Sequence, residues 1–213
     1  MPPKKDDTLL DLVDQVKKLS SLITSLEAKQ AEISSKLDEH LLNNDRLASR
    51  VSFIELRQNE LEQHSRAHCC RLFGLSVPDD NDPFITSEAV YAALLPILKL
   101  SVEDNFLKSV PSLLDTIDMS HKLPPTKENE NTPPILVRFR SKLIRLAVLK
   151  TKGKYFKQSS NKFSIVEDLT KMNSALYKKT KDRQDVLSAW IRNGKIFYKL
   201  KKDPTKSLVA KLQ

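Results

Sequence analysis

Apolar residues recur at alternating steps of three and four from Leu9 to Leu61, and no proline or glycine interrupts this repeat. With Leu9 at heptad position a, twelve of the sixteen a and d positions are apolar. A repeat of 3.5 residues places these side chains in one stripe of a supercoiled helix. A helix about 80 Å long cannot bury such a stripe on itself. The sequence therefore predicts a coiled coil over residues 9–64 that assembles with other copies, and a hairpin folded back near Asn44 is the alternative.

Residues 50–55 carry a pattern that favours a coiled coil of three helices over one of two helices. Arg50 lies at g and Glu55 at e, on either side of apolar a and d residues. In a parallel trimer, this arginine reaches the glutamate of the next helix while its stem covers the seam. We therefore expect a homotrimer rather than a dimer, preceded by a disordered N-terminus over residues 1–8. The residues expected to hold the oligomer are Leu19, Ile23, Leu26, Ile33, Leu37, Leu47, Arg50, Val51, Ile54, Glu55 and Leu61.

Positive charge is concentrated in the last third of the chain. Residues 135–213 hold 21 basic and five acidic residues, a net charge of +16, whereas residues 1–64 and 65–134 carry −3 and −4. Such asymmetry indicates a polyanionic partner for the last third. A solvated lysine-rich surface is the alternative.

The sequence lacks the features of several functional classes. Only three glycines occur, and no Gly-rich phosphate loop, nucleophile elbow or triad is present, so we expect a non-enzyme without cofactor or small-molecule substrate. Cys69 and Cys70 are adjacent, which provides no disulfide framework. His64 and His68 are spaced like metal ligands, but no further ligand pair supports them, so we expect no metal. Without a signal peptide or an apolar run of about 18 residues, an intracellular protein without a membrane span is expected.

Residues 65–167 read as a small α+β domain. The predicted strands cover residues 68–75, 114–119, 135–140 and 163–166. The predicted helices follow Ser87, spanning residues 88–98 with Pro96 ending or kinking the last turn, and Ser141, with Gly153 and a loop after the second helix. The resulting βαββαβ order is that of the split βαβ domains, which include ferredoxin-like and RNA-recognition-motif domains.

The third predicted strand divides its side chains between two faces of the sheet. Alternation places Ile135, Val137 and Phe139 on the core face, and Arg138 and Arg140 on the open face. Two arginines on an open sheet suit phosphate pairing. The stacking aromatics of a standard RNA-recognition motif are missing, so we expect no sequence-specific base readout.

Residues 168–213 read as a basic helix of about fifteen residues starting at Asp168, then a β-hairpin turning at Asn193-Gly194 and a third strand over residues 207–210. We expect Trp190 to pack the hairpin against the helix, and base stacking is the alternative. We expect Glu167 and Asp168 to be surface or capping residues. The candidate nucleic-acid-binding residues are Arg66, Arg71, Arg138, Arg140, Lys171, Lys178, Lys179, Lys181, Arg183, Arg192 and Lys195.

The order of coiled coil, RNA-recognition-motif-like domain and basic αββ tail resembles the first-open-reading-frame protein of LINE-type (non-LTR) retrotransposons. The stretches that carry the resemblance are residues 61–75, 118–123 and 134–139, and residues 189–197 resemble the C-terminal domain of the baculovirus few-polyhedra (FP) protein. The resemblance implies a trimeric single-stranded RNA-binding protein with chaperone activity, in cytoplasmic ribonucleoprotein particles or in the nucleus. DNA remains an alternative ligand. A structural adaptor of the few-polyhedra type, acting through protein contacts, is the alternative function.

Overall fold

The computed structural model describes residues 5–78, 82–125, 132–159 and 163–212, with side chains from Leu10 onward. The chain divides after Glu55 into two compact units. Of the N-terminus expected to be disordered, residues 1–4 lie outside the described residues, as does the side chain of the first seam residue, Leu9. Parts of three predicted loops, residues 79–81, 126–131 and 160–162, also lie outside them.

Helix α1, Lys5–Ser65, is continuous over 61 residues. The alternative of a hairpin folded back near Asn44 is therefore wrong, because nothing in this segment interrupts the backbone hydrogen bonds of the helix. The apolar seam is exposed in the single chain: Leu26, Ile33 and Leu61 have 64%, 66% and 62% of their surface accessible. One chain alone thus leaves the stripe unburied.

A four-stranded antiparallel sheet follows the helix, in the order β2-β3-β1-β4. Its strands are β1 Cys69–Phe73, β2 Ile117–Lys122, β3 Ile135–Phe139 and β4 Ser164–Glu167. The connecting helices are α2 Pro83–Glu103, α3 Leu113–Thr116 and α4 Lys142–Gln158. The chain is therefore α+β, with antiparallel sheets after a long helix.

One face of this sheet forms the core. Ile135, Val137 and Phe139 are buried and contact the hydrophobic cluster, as the alternation predicted, whereas Arg138 of the same strand is exposed. Helices α2 and α4 contribute the other side of the cluster through residues such as Leu94 and Val148. The side chains of the opposite face range from buried Cys69 through half-buried Arg71 and Leu136 to exposed Arg138.

Helix α2 begins earlier and ends later than predicted. Asp82 caps it by accepting a hydrogen bond from the Phe84 amide, and a proline occupies the first turn, where no amide partner is needed. Ser87, the predicted cap, instead lies within the helix beside Ser120, with 2.9 Å between their hydroxyl oxygens. Pro96 does not end the helix, which continues to Glu103. Pro96 is exposed, so its ring meets solvent rather than core.

By length and composition, α2 is the one helix among the described residues that could cross a membrane. Its apolar residues have another role in this fold. Val90, Leu94, Ile97 and Leu98 are fully buried in the protein core. This packing accounts for the apolar character of the helix.

Two other element boundaries differ from the prediction. The second strand starts at Ile117, because the residues before it form the short helix α3, which Ser112 caps. Ser141 caps α4 as predicted, but the helix continues through Gly153 to Gln158. A glycine weakens a helix by only about 1 kcal/mol, and the packed apolar residues of α4 outweigh this cost.

The C-terminal part forms a helix and a three-stranded sheet, in the order β5-β6-β7. These elements are α5 Lys171–Lys181, β5 Val186–Arg192, β6 Lys195–Leu200 and β7 Asp203–Val209. Helix α5 is shorter than predicted and starts after its cap Thr170. The predicted hairpin turn is confirmed, since Asn193 and Gly194 have φ values of 52° and 73°, as a type I′ turn requires.

Candidate nucleic-acid interface

A buried carboxylate joins two of the predicted phosphate-binding arginines. Asp168 follows β4, and its side chain is 3% exposed. One carboxylate oxygen accepts from Arg66 Nη1 at 2.8 Å, and the other accepts from Arg71 Nε at 2.5 Å. The prediction of Asp168 as a surface or capping residue is therefore wrong. Its partners lie about a hundred positions earlier, so no local pattern in the sequence could reveal the pair.

Arg66 is held firmly in its charged form. Partial burial acts to lower its pKa, but Asp168 and Glu62 outweigh burial, and the pKa of Arg66 is raised. Glu62 accepts a hydrogen bond from Arg66 Nη2 at 2.7 Å. The Arg66 and Arg71 side chains nevertheless keep 29% and 36% of their surface exposed. The network therefore orients two guanidinium groups without removing them from solvent.

The open face of the four-stranded sheet carries Arg71 and Arg138. In the strand register, Arg138 stands opposite Cys69, two positions before Arg71 in β1. Arg138 contacts Asp118 at 3.2 Å, and both side chains are about half exposed, so this ion pair restrains it only weakly. Arg140 lies beyond the strand and donates to the Leu114 carbonyl at 3.1 Å. Arg140 therefore serves a local contact as well as the surface.

Glu167, also expected at the surface, holds the turn of the C-terminal hairpin. Its carboxylate oxygens accept from the amides of Asn193 at 3.0 Å and Gly194 at 2.7 Å. The same carboxylate pairs with Arg145 of α4 at 3.0 Å, and this arginine is 3% exposed. The sequence does not reveal this role of Arg145, since its position in an amphipathic helix gives no sign of burial.

The hairpin turn places two further predicted residues near the end of β4. Arg192 and Lys195 directly flank the turn, pair with each other across the hairpin and are exposed. Because Glu167 fixes the turn, their backbone positions are fixed relative to the first sheet. One connected framework therefore carries basic residues from the segment before β1, from β1 and β3, and from the hairpin.

Two polar residues at the end of α1 complete this framework. Gln63 Nε2 donates to the Asp168 carbonyl at 2.9 Å, and its Oε1 accepts from the Thr170 amide at 3.0 Å. Asn59, 6% exposed, donates to Asn173 Oδ1 at 3.0 Å and accepts from the Thr170 hydroxyl at 2.6 Å. The end of α1 thus caps the start of α5. The sequence does not single out these two residues, because exposed positions of a heptad commonly carry such amides.

These contacts use the side of α1 that faces away from the predicted seam. In the heptad numbering Asn59 is at b and Gln63 at f, whereas Leu61 is at d. Leu61 remains 62% exposed. The last turns of α1 therefore bind α5 with one face and leave the other accessible.

The predicted cations of the basic helix have different environments. Those on α5 itself are all exposed: Lys171, Lys178, Lys179 and Lys181. Arg183 lies beyond the helix, where it makes a bidentate ion pair with Asp185 and lies 5.2 Å from the Tyr198 ring centroid. Its hydrogen bond lowers the pKa of Asp185. Arg183 thus contributes to local structure, while the four lysines form a solvated positive surface.

Trp190 does not pack against the basic helix, contrary to the expectation. Helix α5 packs against β5 and β6, and Ile196 is 2% exposed while Trp190 and Phe197 are only half-buried, so the helix covers the face that carries Ile196. Trp190 pairs with Phe197, the next residue in β6, and therefore lies on the opposite face.

A cleft with a volume of about 690 Å³ lies between the end of α1, the start of α4 and the hairpin. Apolar side chains such as Leu56 and Leu176 form part of its wall. Among the described residues that line it, the basic side chains outnumber the one carboxylate, Glu60: Lys142, Arg145, Lys195 and Lys211. The cleft therefore adds to the positive surface around the hairpin turn.

The cysteines and histidines of the junction do not assemble a metal centre. Cys70 is fully buried, and burial raises its pKa to about 12, while burial also raises the pKa of Cys69. His68 Nδ1 lies 3.2 Å from the Phe139 carbonyl oxygen. Within the described ranges, no three His, Cys, Asp or Glu side chains are grouped so that they could hold a metal ion.

The chain was compared with protein-family models and with curated proteins. No protein-family model matches the chain, and no curated protein matches it significantly in sequence.

Proposed function

We propose that this chain is a non-enzymatic protein that binds single-stranded RNA largely without sequence preference and acts as a nucleic-acid chaperone. The observation that carries the proposal is the pair of guanidinium groups, Arg66 and Arg71, oriented by the buried Asp168 beside the open sheet face. The guanidinium hydrogens that are not bonded to Asp168 or Glu62 are the donors that these oriented arginines offer to phosphate oxygens. Single-stranded DNA is the alternative ligand.

The arrangement of the first sheet supports this proposal. Apart from the short helix α3, the element order is βαββαβ, and with the strand order β2-β3-β1-β4 it is compatible with a split βαβ domain of the RNA-recognition-motif type. Such domains bind single strands on the face that the helices leave open. Here that face presents Arg71 and Arg138, which suits backbone contacts more than base readout.

The exposed seam of α1 supports the proposed assembly. A continuous helix with an exposed apolar stripe requires partners, and the arginine and glutamate pattern of residues 50–55 favours a parallel trimer of identical chains. Three copies would bind one strand with increased avidity. We propose that the assembly belongs to a retrotransposon ribonucleoprotein, cytoplasmic or nuclear.

Salt-dependent binding tests the proposed function. Filter binding of a single-stranded RNA over a salt series should give a falling log affinity, with a slope of about −0.7 for each phosphate neutralised. Arg138→Ala should reduce the slope by about 0.7, because the side chain is exposed and only weakly paired. Lys99→Ala is the matched control, since Lys99 is exposed on α2, on the other side of the sheet. A flat salt response would favour the adaptor function instead.

A further inference from the structure

Two aromatic rings are stacked on the outer face of the C-terminal sheet. Trp190 of β5 and Phe197 of β6 are directly paired in the strand register. Their ring centroids are 5.9 Å apart, and the ring planes differ by 15°. Both residues are half-buried, so each keeps some surface accessible to solvent. Because α5 covers the face that carries Ile196, helix packing does not account for the stacked pair.

Basic residues surround the two rings on the same face. Strand alternation places Arg192 and Lys195 one pair nearer the turn, where Lys195 also borders the cleft, and Lys199 one pair further from it. The other cross-strand neighbours in the described strands are Ser188, Ser207 and Val209, so no carboxylate neutralises these cations within the register. This surface, defined by Trp190, Phe197, Arg192, Lys195 and Lys199, is called the aromatic platform.

We infer that the aromatic platform stacks nucleobases of a single strand, while its three cations contact the neighbouring phosphates. This inference rests on the proposed function and adds a second, base-contacting surface to the arginines near Asp168. A flat aromatic surface accepts any base, since every base has a π face. Three cations with no carboxylate opposite them in the register of the described strands favour a polyanion over an apolar protein partner.

Base stacking and phosphate pairing differ in their dependence on salt. Phosphate contacts release counterions and weaken as salt increases, whereas stacking is largely independent of salt. The platform should therefore supply part of the affinity that persists at high salt. Bases that are already paired in a duplex are not accessible to it, so the preference for single strands follows from the same geometry.

The test compares a labelled oligothymidylate with an abasic strand of equal length, using fluorescence anisotropy and the full chain. Trp190→Ala should weaken binding of the oligothymidylate about tenfold and leave binding of the abasic strand unchanged. Trp190→Phe should restore most of the loss, because it keeps a stacking ring. Since Trp190 is the single tryptophan of the chain, its fluorescence should also be quenched when the oligothymidylate binds.

Phe106→Ala provides the matched control. Phe106 is 46% exposed with Lys150 Nζ 4.8 Å from its ring centroid, so it also combines an exposed ring with a cation, but away from the platform. This variant should bind both strands as the wild type does.

If Trp190→Ala weakens binding of both strands equally, or of neither, the inference about the aromatic platform is overturned while the proposed function stands. If quenching follows an acidic peptide and not the oligonucleotide, the platform binds protein. If wild type binds neither strand and no single-stranded RNA of equal length, the proposed function itself fails.

Discussion

Gln63 of helix α1 lies directly against Gly194 in the hairpin turn. A Cβ atom added to Gly194 would lie 2.6 Å from Gln63 Cγ and 2.9 Å from its Cδ. Gly194 also has a φ of 73°, a region that residues with a Cβ rarely adopt. Two independent constraints, one from the turn and one from a distant helix, therefore require glycine at this position.

Gly194→Ala should lower the free energy of unfolding by about 2 kcal/mol, because it combines backbone strain with the contact to Gln63. Urea denaturation followed by circular dichroism measures this change. Adding Gln63→Ala removes the side chain that clashes, so the double variant should lose less stability than the sum of the two single variants. Strict additivity would show that Gln63 does not press on this glycine.

Gly153→Ala should have the opposite effect. Gly153 lies within helix α4, and an added Cβ would meet no atom within 4 Å. Replacing a helical glycine with alanine should raise the free energy of unfolding by about 0.5–1 kcal/mol. The same urea experiment serves as the check, and a loss of stability would contradict the position of this residue inside a helix.

Asp168→Asn should destabilise the chain and weaken RNA binding together. The substitution leaves the Arg66 and Arg71 guanidinium groups without their shared carboxylate, at a cost of about 2 kcal/mol, since the arginines are partly solvated. Calorimetric unfolding and filter binding measure the two effects. Asp118→Asn is the matched control, because its ion pair with Arg138 is about half exposed and should contribute under about 0.5 kcal/mol. Equal losses in both variants would refute the special role of Asp168.

Most of the fold follows from local patterns. The long helix follows from the heptads, the core face of β3 from alternation, and the hairpin from Asn193-Gly194. The limits of α2 could not be predicted, because the choice between Asp82 and Ser87 as cap depends on where the helix packs. The continuation of α4 through Gly153 could not be predicted either. The free energy that tertiary packing gives this helix exceeds the small cost of one glycine in it.

Ile54→Asp should dissociate the predicted trimer. Ile54 is 57% exposed in the single chain, so the substitution leaves the fold of one chain intact but would bury a charge in each copy of an assembled seam. Sedimentation equilibrium of the full chain should give three chains per particle for wild type and one for the variant. Ser52→Asp, at an outer heptad position, should remain a trimer. A monomeric wild type would contradict the proposed assembly. A dimeric wild type would contradict the preference for a trimer that residues 50–55 indicate.

Both thiols should resist modification in the folded chain. Because burial raises the pKa of Cys70 to about 12, only about one molecule in ten thousand carries a thiolate there at pH 8. A thiol reagent should react slowly with the native chain and rapidly with two groups in urea. The stability that the neutral Cys70 thiol contributes is complete below its ordinary pKa of 9.0 and is lost as the pH rises towards 12. Rapid reaction at Cys70 in the native chain would contradict its burial.

The candidate interface was only partly predictable. Basic composition identified Arg66, Arg71 and Arg138 as candidates, since charge can be read directly from the sequence. The roles of Glu167 and Asp168 could not be read in this way, because their partners are distant in the chain and become neighbours only when the two sheets are formed. The face of the sheet that carries Trp190 depends on the strand register, and the hairpin pattern alone does not determine that register.

The carboxylate of Glu167 binds both amides of the hairpin turn and Arg145 of α4 at once. Separating the hairpin from β4 would break both amide hydrogen bonds to the Glu167 carboxylate, at a cost of about 2–3 kcal/mol, because hydrogen bonds to charged groups are stronger than those between neutral groups. The three-stranded sheet therefore cannot open independently at low cost. From Leu56 onward, hydrogen exchange of the two sheets should report one shared opening free energy, so the C-terminal sheet and the first sheet behave as a single cooperative folding unit.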